Sequence, residues 1–577
     1  MRKRKGAFAA LVAAAAFAVP ITTAEAAPTR PAAPAAAAEG TGEFVVFYAD
    51  GVDAGTAHAA IAAAGGTVVD EIAELGIARV TTADAGFSQA VTRSGAVKGV
   101  TRNHEVGSDT RGAAHRFAEE RALADRATFA ARGGGNGASA QAAPPRAGVD
   151  RFADLQWGMK MIGAPQAHAT ATGKGVKVGI IDTGIDASHL DLAANFDATL
   201  SRNFTTDIPL IDGACEDEPD HSCSDPANVD EGGHGTHVAG IVAAAKNGIG
   251  VEGVAPEATL VNLRAGQDSG FFFFFETVAA LTYAADNGID VVNMSFFTDP
   301  WLYNCDSADD IVSGTSTPDE LAQQAMIREG LLDAVANARA HGVTLVAAAG
   351  NEHQDLSAPT RLDETSPDFP PDTEHVRTVT NDCLSLPSEA PGVIQVSAIG
   401  PSTVKADYSV WGQGSINVAA PGGWFRDHFG TKHFMQPENM ILSSYPKAVA
   451  QEEGGVTPGG GVRDPFYKRD CVPSGQCSYY QYLQGTSMAS PHVVGVVALI
   501  IQAHGTPDGH GGFDLSPDAV ADILTRTATD TPCPDPALLD YTQEGRPASW
   551  NATCTGTPAL NSNYGEGIVS ATAAVAP

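Results

Sequence analysis

Positive charge is scarce in this chain. Lysine and arginine number 35 against 68 aspartates and glutamates, leaving a formal net charge of −33 over 577 residues. A surface of that sign repels phosphate backbones and anionic lipid headgroups, so nucleic acid and membranes are excluded as partners. Long apolar runs are missing too. The stretch "AFAALVAAAAFAVP" has 14 residues, short of the ~20 that cross a bilayer, and no later segment reads as a span. It follows the basic "MRKRKG" and precedes the small-residue site "AEA" at Ala24–Ala26, the pattern of a cleaved signal peptide over residues 1–26. The chain is therefore expected to be secreted. No cysteine precedes Cys215, and none of the eight forms a C-x-x-C pair, which argues against zinc. In an exported chain an even number points to disulfides. Cys215–Cys223 and Cys471–Cys477 close the shortest loops and Cys533–Cys554 the next, which leaves Cys305 and Cys383; sequence alone keeps other pairings open.

There is no fixed-period repeat. Residues 27–43 are rich in alanine and proline and read as a disordered linker. Residues 44–105 read as a small α+β unit in the order βαββαβ, with helices on one face of a sheet. Residues 106–150 lose that pattern and read as a linker, a spacer or a protease-sensitive release segment. From residue 151 to 577, apolar strands such as "VKVGII" and "ATLVNLR" alternate with helices such as "ETVAALTYAADNG". That alternation predicts a parallel sheet covered on both faces. Residues 203–232, 297–320, 352–392 and 423–480 break it and read as insertions. The acidic run "CEDEPDHSCSDPANVDE" lacks calcium-loop spacing and reads as a solvated, disulfide-clipped loop.

Open α/β sheets place their chemistry at the carboxyl ends of the strands. In "VGIIDTGID", Asp182 ends a buried strand, where a charge needs a partner; alone it also reads as a turn or helix cap. In "DEGGHGTHVAGIVAAA", His234 opens a helix whose Val238, Ile241, Val242 and Ala245 face the core. His234 and His237 lack the glutamate of H-E-x-x-H, so a zinc site is not indicated. In "YLQGTSMASPHVVGVVALIIQAHG", Ser487 starts a long apolar helix with Pro491 in its first turn, and Ala489 rules out the G-x-S-x-G elbow. A serine hydroxyl needs a base, and the base needs an orienting group. Ser487, His234 and Asp182 supply those three roles. Asn351, in "VTLVAAAGNE", offers an amide for the developing oxyanion; alone it also reads as a turn residue.

These stretches, with "VVNMS" and the terminal "NYGEGIVSATAAV", resemble the successive signatures of the subtilisin-like serine proteases, the subtilases. The resemblance implies a secreted preproenzyme of actinobacterial type. Its fold would be three-layer α/β with a mainly parallel central sheet, preceded by a ferredoxin-like pro-segment that acts as chaperone and inhibitor. Polypeptide substrate and the chain's own pro-segment are the implied partners of a monomer. Substrate would lie as an extended strand between Ser269-Gly270-Phe271 and Ser295-Phe296-Phe297. The S1 pocket would lie between Ser295–Phe297 and Ala348–Gly350, with small apolar walls that suit a neutral residue. Catalysis would need no cofactor. A structural calcium is implied at Asp191 and Asn247, positions that also read as surface polar and turn. The run Phe271–Phe275 cannot hide five rings on one face, and Phe272, with Phe274, is expected to wall the S2 and S4 subsites. Three readings follow: a general endopeptidase, a narrow maturation protease fenced by its insertions, and an inactive fold that binds peptides. The filled catalytic positions argue against the last.

Overall fold

The computed structural model describes residues 42–103, 119–122, 126, 149–217, 221–371, 373–509 and 512–577. The expected signal peptide, nearly all of the expected linker 27–43 and most of 106–150 lie outside the described residues.

The N-terminal part follows the expected order. Strands β1 (Gly42–Tyr48), β2 (Gly66–Ile72), β3 (Ile77–Thr82) and β4 (Val97–Arg102) alternate with helices α1 (Ala54–Ala63) and α2 (Phe87–Thr92). They form an antiparallel sheet in the order β2-β3-β1-β4. Asp53 caps α1 by accepting from the Thr56 amide. Strand β1 is buried on both faces. Phe44 and Val46 pack with Ile61 and Phe87 of the unit's own helices, while Val45 and Phe47 join the core of the larger body.

The larger body is built on seven parallel strands: β5 (Lys177–Ile181), β6 (Arg202–Asn203), β7 (Thr259–Arg264), β8 (Val291–Met294), β9 (Thr344–Ala348), β10 (Ile394–Ile399) and β11 (Val418–Pro421). Their order is β11-β10-β9-β8-β5-β7-β6. The chain leaves β5 for β7 on one side and returns to β8 on the other, so β5 and β8 flank the switch point where a crevice opens. Helix α3 (His234–Ala243) and helix α6 (Thr486–His504) lie on one face. Helices α4 (Phe274–Asp286) and α5 (Pro318–Ala340) lie on the other, with the N-terminal unit against them. Helix α6 is long and apolar enough to cross a membrane by length and composition, which corrects the sequence reading, but it is the buried core helix. Pro491 stands in its second turn rather than its first. Proline has no N–H for the Ser487 carbonyl, and the Ser295 hydroxyl donates there at 3.3 Å.

All eight cysteines pair: Cys215–Cys223, Cys305–Cys383, Cys471–Cys477 and Cys533–Cys554. The acidic run is clipped as expected but not wholly solvated. Asp225 and Asp230 are buried, Asp225 against Arg264.

Candidate active site

Asp182 follows directly on β5 and is wholly buried. Its Oδ1 accepts from the Thr183 amide at 2.8 Å and from His234 Nδ1 at 2.7 Å. His234 is the first residue of α3, held there by Asp230. One Asp230 oxygen accepts from the Thr183 hydroxyl and the Gly233 amide, and the other from the amide and hydroxyl of Thr236. The loops carrying Asp182 and His234 are thus tied through one carboxylate. Gly233 has φ of 85°, and a Cβ there would lie 2.7 Å from the Tyr445 ring, so glycine is required beside the histidine.

Ser487 is the second residue of α6, where backbone amides point out of the helix. Asn351 lies past β9, and its Oδ1 accepts from the Thr486 amide at 2.9 Å and hydroxyl at 3.0 Å. Those bonds fix the side chain's orientation and turn Nδ2 toward Ser487. The four residues picked out by sequence therefore converge on one point.

That point holds a carboxylate which sequence reasoning missed. Glu120 lies in the expected linker, yet it is buried in the centre of the site. Its Oε1 accepts from the Ser487 hydroxyl at 2.5 Å and from Asn351 Nδ2 at 3.2 Å, and its Oε2 lies 3.2 Å from His234 Nε2. Burial works against a charged imidazole, but Asp182 and Glu120 together outweigh it and push His234 up to about 10. His237 behaves oppositely. Burial pushes it down to about 3, and its Nε2–H is shared between the carbonyls of Ile441 and Gln481, a structural role.

A cleft opens from this centre, lined by Gly270, Phe272, Ser295, Phe296 and Gly350 with Asn351 and Ser487. Ser269 is not among its lining; its amide and hydroxyl are both taken by Asp212. The Phe272 and Phe296 rings stack at 4.0 Å to form one wall. Phe274 is elsewhere, stacked on Phe47 of the N-terminal unit, which corrects its expected place in the wall. Phe271 and Phe273 pack on Phe369 of an insertion, and Arg79 lies over Phe275. The run's second face is thus spent on inserted and N-terminal residues. The cleft is also less apolar than expected, because Glu352, Ser385 and Ser388 line it.

The residues expected to hold calcium do not fit it as arranged. Asp191 accepts from Asn247 Nδ2, the Val251 amide and the Tyr480 hydroxyl, and Asn247 Oδ1 accepts from the Ile249 amide. Calcium needs such oxygens turned toward itself. Burial also pushes Asp191 up to about 7, away from the charged form a cation prefers. A second acidic group, Asp207, Asp225 and Asp268, surrounds the buried Arg264, whose single positive charge offsets one of the three carboxylates, while burial pushes Asp268 up to about 9.

Comparison with known proteins finds a family and several relatives. Residues 173–567 match the Subtilase family. Subtilisin DY of Bacillus licheniformis is 29% identical over 376 residues, covering 65% of this chain and 92% of that protein. Thermitase of Thermoactinomyces vulgaris is 27% identical over 350 residues, 60% of this chain and 83% of that protein. Among solved structures, the epidermin leader peptide processing serine protease of Staphylococcus aureus has a TM-score of 0.59 at 19% identity, covering 93% of this chain and 98% of that one. Fervidolysin from Fervidobacterium pennivorans, a keratinolytic enzyme related to subtilisin, has a TM-score of 0.51 at 22% identity, covering 93% of this chain and 61% of that one. At these identities the structural likenesses bear on the fold alone, but the family match spans most of the chain: it belongs to the subtilase family and is a serine endopeptidase.

Proposed function

We propose that this is a secreted endopeptidase made as a zymogen, with Ser487 as nucleophile, His234 as proton carrier and Asp182 as the group that orients it. The observation that carries this reading is convergence. The Ser487 hydroxyl and the Asn351 amide meet at one oxygen, beside an imidazole whose other nitrogen is 2.7 Å from a buried carboxylate. In a substrate complex, Ser487 Oγ bonds to the scissile carbonyl carbon while His234 takes its proton. The carbonyl oxygen becomes an oxyanion near the place Glu120 Oε1 now occupies, where Asn351 Nδ2 donates to it. Collapse breaks the C–N bond, and His234 returns the proton to the leaving amine. Water then repeats the sequence on the acyl-enzyme.

Residues 44–105 are the proposed pro-segment, supported by their packing against α4 and α5. Export is supported by the four disulfides. The protein acts as a monomer on polypeptides. A fluorophosphonate probe should label the wild type and leave Ser487→Ala unlabelled, with hydrolysis of a protein substrate lost in parallel. Asn351→Ala should keep the fold and lower turnover roughly 10²–10³-fold. Equal labelling of wild type and Ser487→Ala would overturn the assignment.

A narrow maturation role is the second reading. It is favoured by the insertions around the cleft, where Phe369 and Ile211 pack on Phe271 and Phe273 and the Cys305–Cys383 bridge holds the roof. A cleavage profile over a mixed protein library separates the two. Cuts dispersed over many proteins mark the general enzyme, and a single favoured site marks the narrow one.

A further inference from the structure

Glu120 does not reach the catalytic centre alone. Its carbonyl accepts from the Gln484 amide at 3.0 Å, and the Glu119 carbonyl accepts from Gln484 Nε2 at 3.0 Å. The chain is therefore laid against the strand that leads into Ser487, as a bound peptide would be. Its side chains fall on residues of matching charge. The Glu119 carboxylate pairs with Arg546, which is braced by Asp407 and stacked 3.9 Å over Trp550. Arg121 pairs with Glu453 at 2.8 Å, Ala122 is buried, and Arg126 lies 4.0 Å over the Phe466 ring. Gln484, Arg546, Glu453 and Phe466 all lie outside the lining of the Gly270–Phe296 cleft. Glu120 itself lines that cleft, while the partners of Glu119, Arg121 and Arg126 extend beyond it, on the side we assign to the leaving amine.

A carboxylate suits this position chemically. It gives Ser487, Asn351 and His234 a negatively charged oxygen where an oxyanion would otherwise form. Yet it is not consumed, because adding the serine oxygen to a carboxylate would put a second negative charge on its oxygens and leave only oxide as a leaving group. While it stays, His234 is occupied as a cation and cannot accept the serine proton.

We propose that the catalytic centre is a binding site for a peptide carboxylate, occupied in this chain by Glu120 as a tethered inhibitor. Arg546 and Glu453 are the residues that read the acidic and basic side chains on either side. The ligand class is an acidic peptide of the pattern Glu-Glu-Arg, bound on the leaving-group side. This rests on the assignment of Ser487 as nucleophile and goes beyond it.

The test measures the rate of fluorophosphonate labelling of the intact, full-length chain, with intactness followed on a gel. Wild type should label slowly. Glu120→Ala and the isosteric Glu120→Gln should label at least ten-fold faster, and Arg546→Ala several-fold faster. In a second arm, acetyl-Glu-Glu-Arg-Ala-amide is added to the active enzyme that the wild-type chain yields. It should inhibit competitively and lose at least ten-fold in potency when its second glutamate is glutamine. This arm stands even where a Glu120 variant fails to accumulate. Equal labelling of intact wild type and Glu120→Gln, or equal inhibition by the two peptides, would overturn the proposal. Absence of labelling in every form, Glu120→Ala included, would instead overturn the serine assignment and the inhibitor reading with it.

Discussion

Glu120 ties the charge of His234 to the state of the whole chain. A histidine ordinarily titrates near ~6.5; here it is held at about 10 against its own burial, because two carboxylates face it. A folded-state value above the unfolded one means that the stability it supplies is complete below the unfolded value. That stability is lost as pH rises toward the folded value. The window is therefore from ~6.5 to about 10. Unfolding of the full chain, kept uncleaved by Ser487→Ala, should be compared with that of Ser487→Ala/Glu120→Gln by denaturant titration. The Glu120-containing protein should be the more stable at about pH 6, and its advantage should shrink by about pH 10. An advantage unchanged between the two pH values would mean that Glu120 and His234 do not meet as an ion pair. The contrast between these residues also explains what the sequence could reveal. Asp182, His234, Asn351 and Ser487 each interrupt an apolar strand or helix start with a polar group, and that interruption is visible in one dimension. Glu120 stands among alanines, arginines and other glutamates, with no periodicity to mark it. Only the tertiary path of the chain brings it to Ser487. Asp230 was equally hidden, since an aspartate two residues before a pair of glycines looks like a turn until its four donors are seen.

Elements were read well where their chemistry was local and poorly where a partner surface decided it. The βαββαβ order was legible because each strand and helix carries its own period and stop signal. The burial of both faces of β1 was not, because Val45 and Phe47 need the distant α4 and α5 to be covered. Helix α5 concentrates its apolar residues in the C-terminal half. It begins at Pro318 behind a Thr317–Glu320 capping box, and its polar first half bears on the N-terminal unit through Met326 against Gly99 and Lys98 with Glu329. The insertions that roof the cleft depend on a covalent tie between two of them. Cys305–Cys383 closes a separation of 78 residues and lies in a small cluster with Leu302, Tyr303 and Val379. Leu302 and Ser385 from the same two segments line the cleft. Constraining a loop of that length stabilises by ~4 kcal/mol in the chain-entropy picture. Replacing both cysteines by serine should lower the thermal midpoint and make cleavage less selective, because the roof is then held by packing alone. A cleavage profile identical to wild type would show that the roof keeps its place without the bridge.

At the scale of the molecule, two separate surfaces link the N-terminal residues to the larger body. Glu119–Ala122 meets the proposed catalytic centre, while the βαββαβ unit meets α4 and α5. The second surface is mostly apolar with a polar clasp. Phe47 stacks on Phe274 at 5.6 Å, Arg79 lies 5.0 Å over Phe275 and 3.2 Å from Glu276, and Asn103 donates to Glu276 at 3.1 Å. Burying one phenylalanine is worth ~1.5–3 kcal/mol. Uncovering Phe274 and Phe275 and leaving the buried Glu276 without Arg79 and Asn103 therefore costs several kcal/mol. That is comparable to the ~5–15 kcal/mol by which a whole domain is stable. The cost falls hardest before the seven-stranded sheet is complete, since its parallel pairings join residues far apart in sequence and form slowly. A unit whose contacts are local can form first and offer Phe47 and Val45 as a template for α4. Expression of the chain without residues 44–105 should consequently yield little active enzyme, with the deficit appearing in the amount of soluble, labelled protein rather than in the turnover of what is made. Glu120→Gln should do the reverse, changing the labelling rate far more than the yield. If the truncated chain reached wild-type yield, the unit would have no part in folding. If it reached low yield and Glu120→Gln did likewise, the two surfaces would not be separate devices.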